Sequence, residues 1–249
     1  MLTDPTFYLV SIPAVLLYGI AKGGFGGSVA VLAVPLMALV MSPTKAAAIL
    51  LPILIVMDVL VVKTYWGVFD RRALQLLLPG ALVGILLGYF TAGAMNDNYL
   101  RILVGVISLV FGAQSLLQIQ SRSSAQHRRV AGGMFGALAG FTSFSIHAGG
   151  PPFAMYLMPK KLTPVLYAGT AGIFFAVVNA VKIVPYAMLG QFNIENLQYA
   201  LVLVPLAPLG VWLGHYLVRR SDPTTYYRII SFFLVVVGVK LLRDGILAG

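Results

Sequence analysis

Two glycine-rich stretches interrupt otherwise apolar sequence and carry the residue types best suited to hold a small solute. The first reads KGGFGGS over residues 22–28, and the second reads GFTSFSIHAGGPP over residues 140–152. Neither stretch favours one continuous helix, because glycine weakens a helix and proline lacks a backbone donor. At membrane depth, broken backbone is tolerated only where protein or a watery cavity surrounds it. The two interruptions therefore predict a binding site, with the rest of the chain holding them face to face near the midplane.

Backbone amides and hydroxyl groups would supply the binding chemistry of this site. A helix that begins at a broken stretch has unpaired N–H groups and a partial positive charge, and such ends bind anions. The predicted substrate-binding residues are Lys22, Gly24, Gly26, Gly27, Ser28, Thr142, Ser143, Ser145, His147, Gly149 and Gly150. The alternative is that these small residues only allow close helix packing. Two matched clusters with nearby prolines favour the binding site.

Three ionisable residues at or near these stretches have alternative interpretations. Lys22 would neutralise a bound anion at a hairpin tip, or it would reach the lipid headgroups by snorkelling. Asp58 would carry a proton or, as we favour, pair structurally with Lys22 or Lys63. His147 suits proton coupling, although a histidine satisfied by neighbouring backbone is an equal alternative. Lys182 resembles Lys63 in its local sequence, which indicates a boundary position rather than chemistry.

The composition is typical of an all-α polytopic membrane protein. Of 249 residues, 59% are hydrophobic and only 10% are charged, whereas soluble domains have about 25% charged residues. The net charge of +10 comes from basic residues at the ends of apolar runs, which is a membrane-topology pattern and predicts a lipid partner rather than nucleic acid. The sequence contains no cysteine and no catalytic or nucleotide-binding motif, so we expect neither an enzyme nor a cofactor or metal site.

The apolar runs divide the chain into two similar halves. The predicted N-terminal half, 1–121, contains a hairpin at 7–41 and helices at 46–63, 73–93 and 99–119. A polar linker at 122–129 precedes the C-terminal half, 130–249, with a hairpin at 130–158 and helices at 165–186, 197–218 and 226–242. Gly24, Pro35 and Pro43 recur 116 residues later, while Pro79 and Gly84 recur 126 residues later. Several matches in the same order indicate an internal duplication.

The distribution of basic residues discriminates between two interpretations of the broken regions. If each region crosses the membrane once, lysine and arginine divide nine against seven, which is no signal. If each returns as a hairpin, eleven lie on one face and five on the other, which is a positive-inside bias. We therefore predict hairpins, inverted repeats and periplasmic termini; the sequence leaves open whether the hairpin arms re-enter or span. The larger set is Lys63, Arg71, Arg72, Arg122, Arg128, Arg129, Lys160, Lys161, Arg219, Arg220 and Arg228.

The duplicated layout resembles the sulfite exporter TauE/SafE family over essentially the whole chain. The resemblance lies in GGFGG with the following Pro35, in GFTSFSIHAGGPP, and in the sequence AGT at 168–170. It implies an inner-membrane secondary carrier of two related halves, with a sulfur oxyanion or an organosulfonate as its substrate. The second motif departs from the family pattern at 142–144 and at His147, where many members are more plainly glycine-rich. This departure bears on which anion is carried.

The sequence thus predicts a secondary transporter of a small sulfur-containing anion, such as sulfite or sulfoacetate, in the cell inner membrane. Coupling to the proton gradient would use Asp58 and His147. The alternatives are a carrier of another solute, such as a carboxylate or a metal, an anion channel, and a scaffold without transport; a membrane interior poor in carboxylates argues against cations. Nothing in the sequence specifies an oligomer, so a homodimer stays open.

Overall fold

The computed structural model describes residues 4–27, 30–93, 96–117 and 125–247, and its regular structure there is helical without strands. This confirms the predicted all-α class. The helices are α1 Pro5–Gly24, α2 Ala33–Met37, α3 Pro43–Thr64, α4 Arg71–Thr91, α5 Asp97–Leu116, α6 Ala125–Ile146, α7 Gly150–Leu157, α8 Pro164–Met188, α9 Ile194–Leu203, α10 Leu206–Arg220 and α11 Pro223–Leu247. In the described ranges α1, α3, α4 and α8 are each long and apolar enough to cross a membrane, and the bent pair α9–α10 would be a fifth span.

Equivalent helices of the two halves begin with the same chemistry. Ser42 caps α3 and Thr163 caps α8, each accepting a hydrogen bond from the backbone amide three residues later, with proline next in sequence. Asp70 caps α4 and Asn193 caps α9 in the same way. These side chains satisfy backbone donors that a helix start leaves unpaired, and proline costs nothing at the first helical position. The caps fix where the long helices start.

Each broken region has a long first arm and a short second arm. Helix α1 has 20 residues and is therefore about 30 Å long, whereas the return runs through a 3₁₀ turn, Ala30–Leu32, and the five-residue α2. Helix α2 packs back against α1, and α7 packs back against α6. The reversal after α1 uses Gly26 and Gly27 at φ of 62° and 77°, which glycine adopts without steric cost.

Two predicted boundaries are wrong. Residues 197–218, predicted as one helix, form α9 and α10, which meet at 48°. Pro205 and Pro208 follow one another within a turn, and each removes a backbone donor from the helix. Helix α6 begins at Ala125, inside the segment predicted as a linker, because glutamine and arginine are good helix formers even where the sequence is polar.

The main helix contacts join one half to the other. Helix α1 packs on α10, α6 packs on α4, and the pairs α3–α8 and α5–α11 complete the bundle. Glycines set the closest approaches: a Cβ atom on Gly23 would lie 2.3 Å from the Val211 carbonyl oxygen, and one on Gly140 would lie 2.1 Å from that of Ala81. Small residues let helix backbones approach closely where lipid gives no hydrophobic drive for association.

Helices α3 and α8 run in opposite directions through the centre of the bundle. Lys45, near the start of α3, pairs with Glu195, which follows the end of α8. Asp70, after the end of α3, pairs with Lys160, which precedes α8. An antiparallel arrangement of equivalent helices is what inverted repeats require. The inverted relation of the whole halves stays a prediction.

Candidate functional site

A buried ion pair links the end of α1 to α3. Lys22 Nζ lies 2.7 Å from Asp58 Oδ1, and the two residues are only 3% and 5% exposed. Asn179 on α8 donates from Nδ2 to Asp58 Oδ2 at 2.8 Å. The structure therefore contains the Lys22–Asp58 pair favoured from the sequence, and the snorkelling alternative for Lys22 is wrong. The first tip continues into residues 28–29, outside the described ranges, so the role of Ser28 stays a prediction.

A second buried polar cluster lies at the end of α6. Lys182 on α8 donates from Nζ to the Ser143 carbonyl oxygen at 3.0 Å and to Ser143 Oγ at 3.1 Å, and it lies 2.9 Å from His147 Nδ1. His147 Nε2 lies 2.9 Å from the Ala47 carbonyl oxygen. A carbonyl oxygen only accepts, so Nε2 carries the proton and Nδ1 accepts from Lys182. Three polar atoms, the Ser143 carbonyl oxygen, Ser143 Oγ and His147 Nδ1, thus surround Nζ of Lys182.

The position of Lys182 corrects the sequence prediction. Lys182 is fully buried, so the boundary position inferred from its resemblance to Lys63 is wrong. Asn179, Lys182 and Tyr186 follow one another at spacings of three and four residues, which places them on one face of α8. The Tyr186 hydroxyl donates to the Phe144 carbonyl oxygen at 2.7 Å. This polar stripe in an apolar helix was the available signal for an inward-facing lysine.

A small cavity lies between the two broken regions. Its lining residues are Tyr18, Lys22, Gly27, His147, Gly150 and Phe175, and its volume is about 10 Å³. That volume is roughly the space required by one water molecule. Four of these six residues, Lys22, Gly27, His147 and Gly150, belong to the predicted binding set, whereas Tyr18 on α1 and Phe175 on α8 were not predicted. The cavity is the place where the two halves bring a cation, a histidine and glycine backbone together.

The two broken regions contact opposite ends of α3. Tyr65, just after α3, donates its hydroxyl to the Gly23 carbonyl oxygen, while Ala47, near the start of α3, meets His147. Eighteen residues separate these two contact positions, about 27 Å along a helix axis. Helix α1 also reaches the end of α6, where the Tyr18 hydroxyl donates to the His147 carbonyl oxygen at 3.4 Å.

Comparison with known proteins identifies the family of this chain. Residues 11–241 match the family described as sulfite exporter TauE/SafE. The chain belongs to this family. A relative from Comamonas testosteroni, "Probable inner membrane transporter protein TsaS", is 25% identical over 177 residues, which cover 69% of this chain and 72% of the relative. No solved structure matches the chain. This TauE/SafE chain is a multi-pass membrane transporter.

Two predicted hydroxyl donors of the TauE/SafE chain are occupied by its own backbone. Thr142 Oγ1 lies 2.7 Å from the Leu138 carbonyl oxygen and 3.1 Å from that of Ala148. Ser145 Oγ donates to the Phe141 carbonyl oxygen at 2.9 Å. In this conformation the two hydroxyls stabilise the broken end of α6 and do not line the cavity.

The predicted glycines of the TauE/SafE chain divide into packing and cavity positions. Gly24 packs on α10, where a Cβ atom would lie 2.2 Å from the Gly214 carbonyl oxygen. Gly27 and Gly150 line the cavity. Gly149 precedes α7, and its amide and that of Gly150 lie before the first α7 hydrogen bond, from Phe153 N to the Gly149 carbonyl oxygen. Neither amide has an acceptor within α7, as is usual at a helix start.

Proposed function

We propose that this TauE/SafE transporter is a secondary carrier of a small sulfur-containing anion, sulfite or an organosulfonate such as sulfoacetate. The observation that carries the proposal is the Lys22 ammonium group, which is buried, lines the cavity and sits beside broken backbone. An intramembrane charge is costly and marks a functional site by default. The family description supports this class of solute, and the name of the Comamonas relative supports an inner-membrane location.

Lys22 has hydrogen-bonding capacity to spare for an anion. An ammonium group has three donors, and Asp58 Oδ1 takes up one side of it. The described residues offer Nζ of Lys22 no further hydrogen-bond acceptor. The amides of Gly149 and Gly150 add donors from the start of α7, and the residues lining the cavity include no carboxylate. This set of groups favours an anion over a metal ion.

The size of the cavity supports alternating access rather than a channel. A volume of about 10 Å³ is too small for a sulfur oxyanion, since it suits one water molecule. The broken regions must separate before the anion binds. We propose that one half, or a mobile bundle, moves against the other and exposes the site to each side in turn.

We further propose that transport is coupled to the proton gradient through Asp58 and His147. When Lys22 turns to an anion, Asp58 loses its ion-pair partner, and a proton on its carboxylate would replace that lost charge. His147 lines the cavity, although both of its ring nitrogens are occupied here. Replacing both residues, as Asp58→Asn and His147→Gln, is expected to leave flux that no longer responds to a pH gradient. Unchanged pH-driven flux would remove this coupling scheme.

We propose periplasmic termini from the distribution of basic residues. Removing Lys182 from the boundary positions, because it is buried, strengthens the positive-inside bias toward the same face. A C-terminal fusion to alkaline phosphatase, which folds only outside the cytoplasm, is expected to be active, and a fluorescent-protein fusion to be dark. The reverse pattern would place the termini in the cytoplasm.

The test of function uses purified protein in proteoliposomes. Sulfite, sulfoacetate, sulfate and acetate are supplied separately, with and without a pH gradient, and saturable flux is measured. We expect flux of a sulfur anion, its loss in Lys22→Gln, and its retention in Lys63→Gln, which removes an exposed charge from α3. Flux of acetate alone would move the assignment to a carboxylate carrier. Conductance without saturation would indicate a channel.

A further inference from the structure

The described ionisable side chains buried in the bundle, each counted in its ordinary charged form, sum to one positive charge. Within the described part of the chain, the buried charged side chains are Lys22, Asp58 and Lys182. Asp58 balances Lys22 at 2.7 Å. Lys182 is held by two neutral oxygens of Ser143 and by the neutral imidazole of His147, so no carboxylate balances it.

The contacts of Lys182 can hold an ammonium group. The Ser143 carbonyl oxygen, Ser143 Oγ and His147 Nδ1 can each accept one of its three N–H groups. His147 is fixed as the tautomer that accepts at Nδ1, because Nε2 faces the Ala47 carbonyl oxygen. The lysine stands directly behind the histidine that lines the cavity. Its charge therefore acts on the cavity through one imidazole ring.

We propose that Lys182 is an ammonium and that the resulting interior charge of +1 makes the site selective for anions of charge −1, with Lys182 and Asp58 as the residues that set this interior charge. This rests on the proposed anion-carrier function and narrows its substrate class to organosulfonates with one negative charge and the singly protonated form of sulfite, so that fully ionised sulfoacetate, which carries two negative charges, is excluded. While Asp58 is ionised and paired with Lys22, a monoanion neutralises the interior; the proton of the coupling scheme joins Asp58 only after the anion has bound. A dianion leaves one negative charge uncompensated in a low-dielectric site, where an unpaired charge is costly. Lys182 is a positioning residue, since it reaches the anion through His147.

Methanesulfonate and sulfate are the probes, because both are tetrahedral, similar in size and fully ionised between about pH 5 and 9, while their charges differ by one. Dissociation constants are measured in detergent, by calorimetry or by ligand-dependent melting. The quantity compared is the dissociation constant of sulfate divided by that of methanesulfonate, called the ratio below. A general loss of affinity cancels in this ratio. We expect wild-type protein to bind methanesulfonate at least tenfold more tightly than sulfate.

The variants change the interior charge in known steps. Asp58→Asn raises the interior charge to +2. We therefore expect the ratio to fall at least tenfold, so that sulfate binds about as tightly as methanesulfonate or more tightly. Lys182→Gln lowers the interior charge to zero, and we expect both anions to bind at least tenfold more weakly, without any gain for sulfate. Lys63→Gln changes an exposed charge on the same helix as Asp58 and should leave the ratio unchanged.

A wild-type ratio near one would overturn the proposal, and so would an unchanged ratio in folded Asp58→Asn. The wild-type comparison requires no variant, so the proposal remains falsifiable if Asp58→Asn does not fold. Sulfite flux in proteoliposomes distinguishes failure of the charge selectivity from failure of the carrier function. Saturable sulfite flux without discrimination between methanesulfonate and sulfate refutes the charge selectivity and leaves the carrier function standing. Absence of binding and flux for every sulfur anion by folded wild-type protein would refute both.

Discussion

At the scale of single residues, the Lys22–Asp58 pair must be stable in the membrane interior and yet open toward a ligand. Two charges taken out of water are tolerable together and costly apart, so removing one partner of a buried pair costs about 3–5 kcal/mol. We expect Lys22→Met or Asp58→Asn alone to lower the melting temperature of detergent-solubilised protein strongly. The double variant Lys22→Met/Asp58→Asn should recover most of that stability without recovering transport. A double variant as unstable as either single one would contradict this account of the pair.

Thr142 gives a prediction of the opposite kind, with stability affected and binding spared. Its hydroxyl bonds the backbone where α6 ends, so Thr142→Val should cost about 1–2 kcal/mol by leaving a buried carbonyl oxygen without its partner. Thr142→Ser keeps the hydroxyl and serves as the matched control. Melting curves and the dissociation constant of methanesulfonate decide between the two roles. A large loss of affinity with unchanged melting would instead make Thr142 a ligand-binding residue.

Sequence reasoning found Lys22 and Asp58 and misplaced Lys182, because the local signals around them differ. Lys22 lies beside the broken stretch, where any charge demands explanation, and Asp58 lies inside an apolar run. Lys182 was assigned to a boundary because its local sequence resembles that of Lys63. The repeat comparison was misleading, since Lys63 is exposed near the end of α3 whereas Lys182 is buried on the polar face that it shares with Asn179 and Tyr186.

At the scale of helices, glycine decides how closely the halves approach, and two glycines on α6 allow a matched test. A methyl group on Gly140 would meet the Ala81 carbonyl oxygen of α4 at 2.1 Å, while one on Gly133 would meet nothing within 4 Å. Gly140→Ala must therefore separate α4 from α6, and we expect loss of the monodisperse folded species. Gly133→Ala should be neutral or stabilise by up to about 1 kcal/mol, because alanine favours helix. Equal melting temperatures for the two variants would show that this contact does not control packing.

Helix type was predictable from the length of apolar runs, whereas bends were not. Pro79 lies inside the uninterrupted α4, and its counterpart Pro205 sits at the break between α9 and α10. A helix can continue past one proline with a local adjustment. The match between Pro79 and Pro205 therefore did not indicate whether either helix is interrupted. The additional Pro208 has no proline counterpart in α4, where Leu82 stands at the matching offset. Bends of this kind depend on packing around the lost hydrogen bonds, which sequence alone does not describe.

At the scale of the whole molecule, two ion pairs join the halves at opposite ends of α3 and α8. Lys45 pairs with Glu195 at one end, and Lys160 pairs with Asp70 at the other. All four side chains are partly exposed, so each pair contributes little to stability by itself. Their placement matters more than their energy, because a carrier that exposes its site to each side in turn must open both ends during one cycle.

Covalent links at these ends test the alternating-access proposal. The chain has no cysteine, so a bismaleimide reacts only with introduced thiols. We expect the Lys45→Cys/Glu195→Cys link to stop sulfite flux, and the Lys160→Cys/Asp70→Cys link to stop it equally, since either link closes one end permanently. The matched control is Lys240→Cys/Asp244→Cys, which links two residues of α11 and should leave flux intact. Undiminished flux in either fully cross-linked inter-half variant would mean that the cross-linked end of α3 and α8 does not open during transport. The site would then have to be exposed by motion of the hairpins alone, and not by movement of one half against the other.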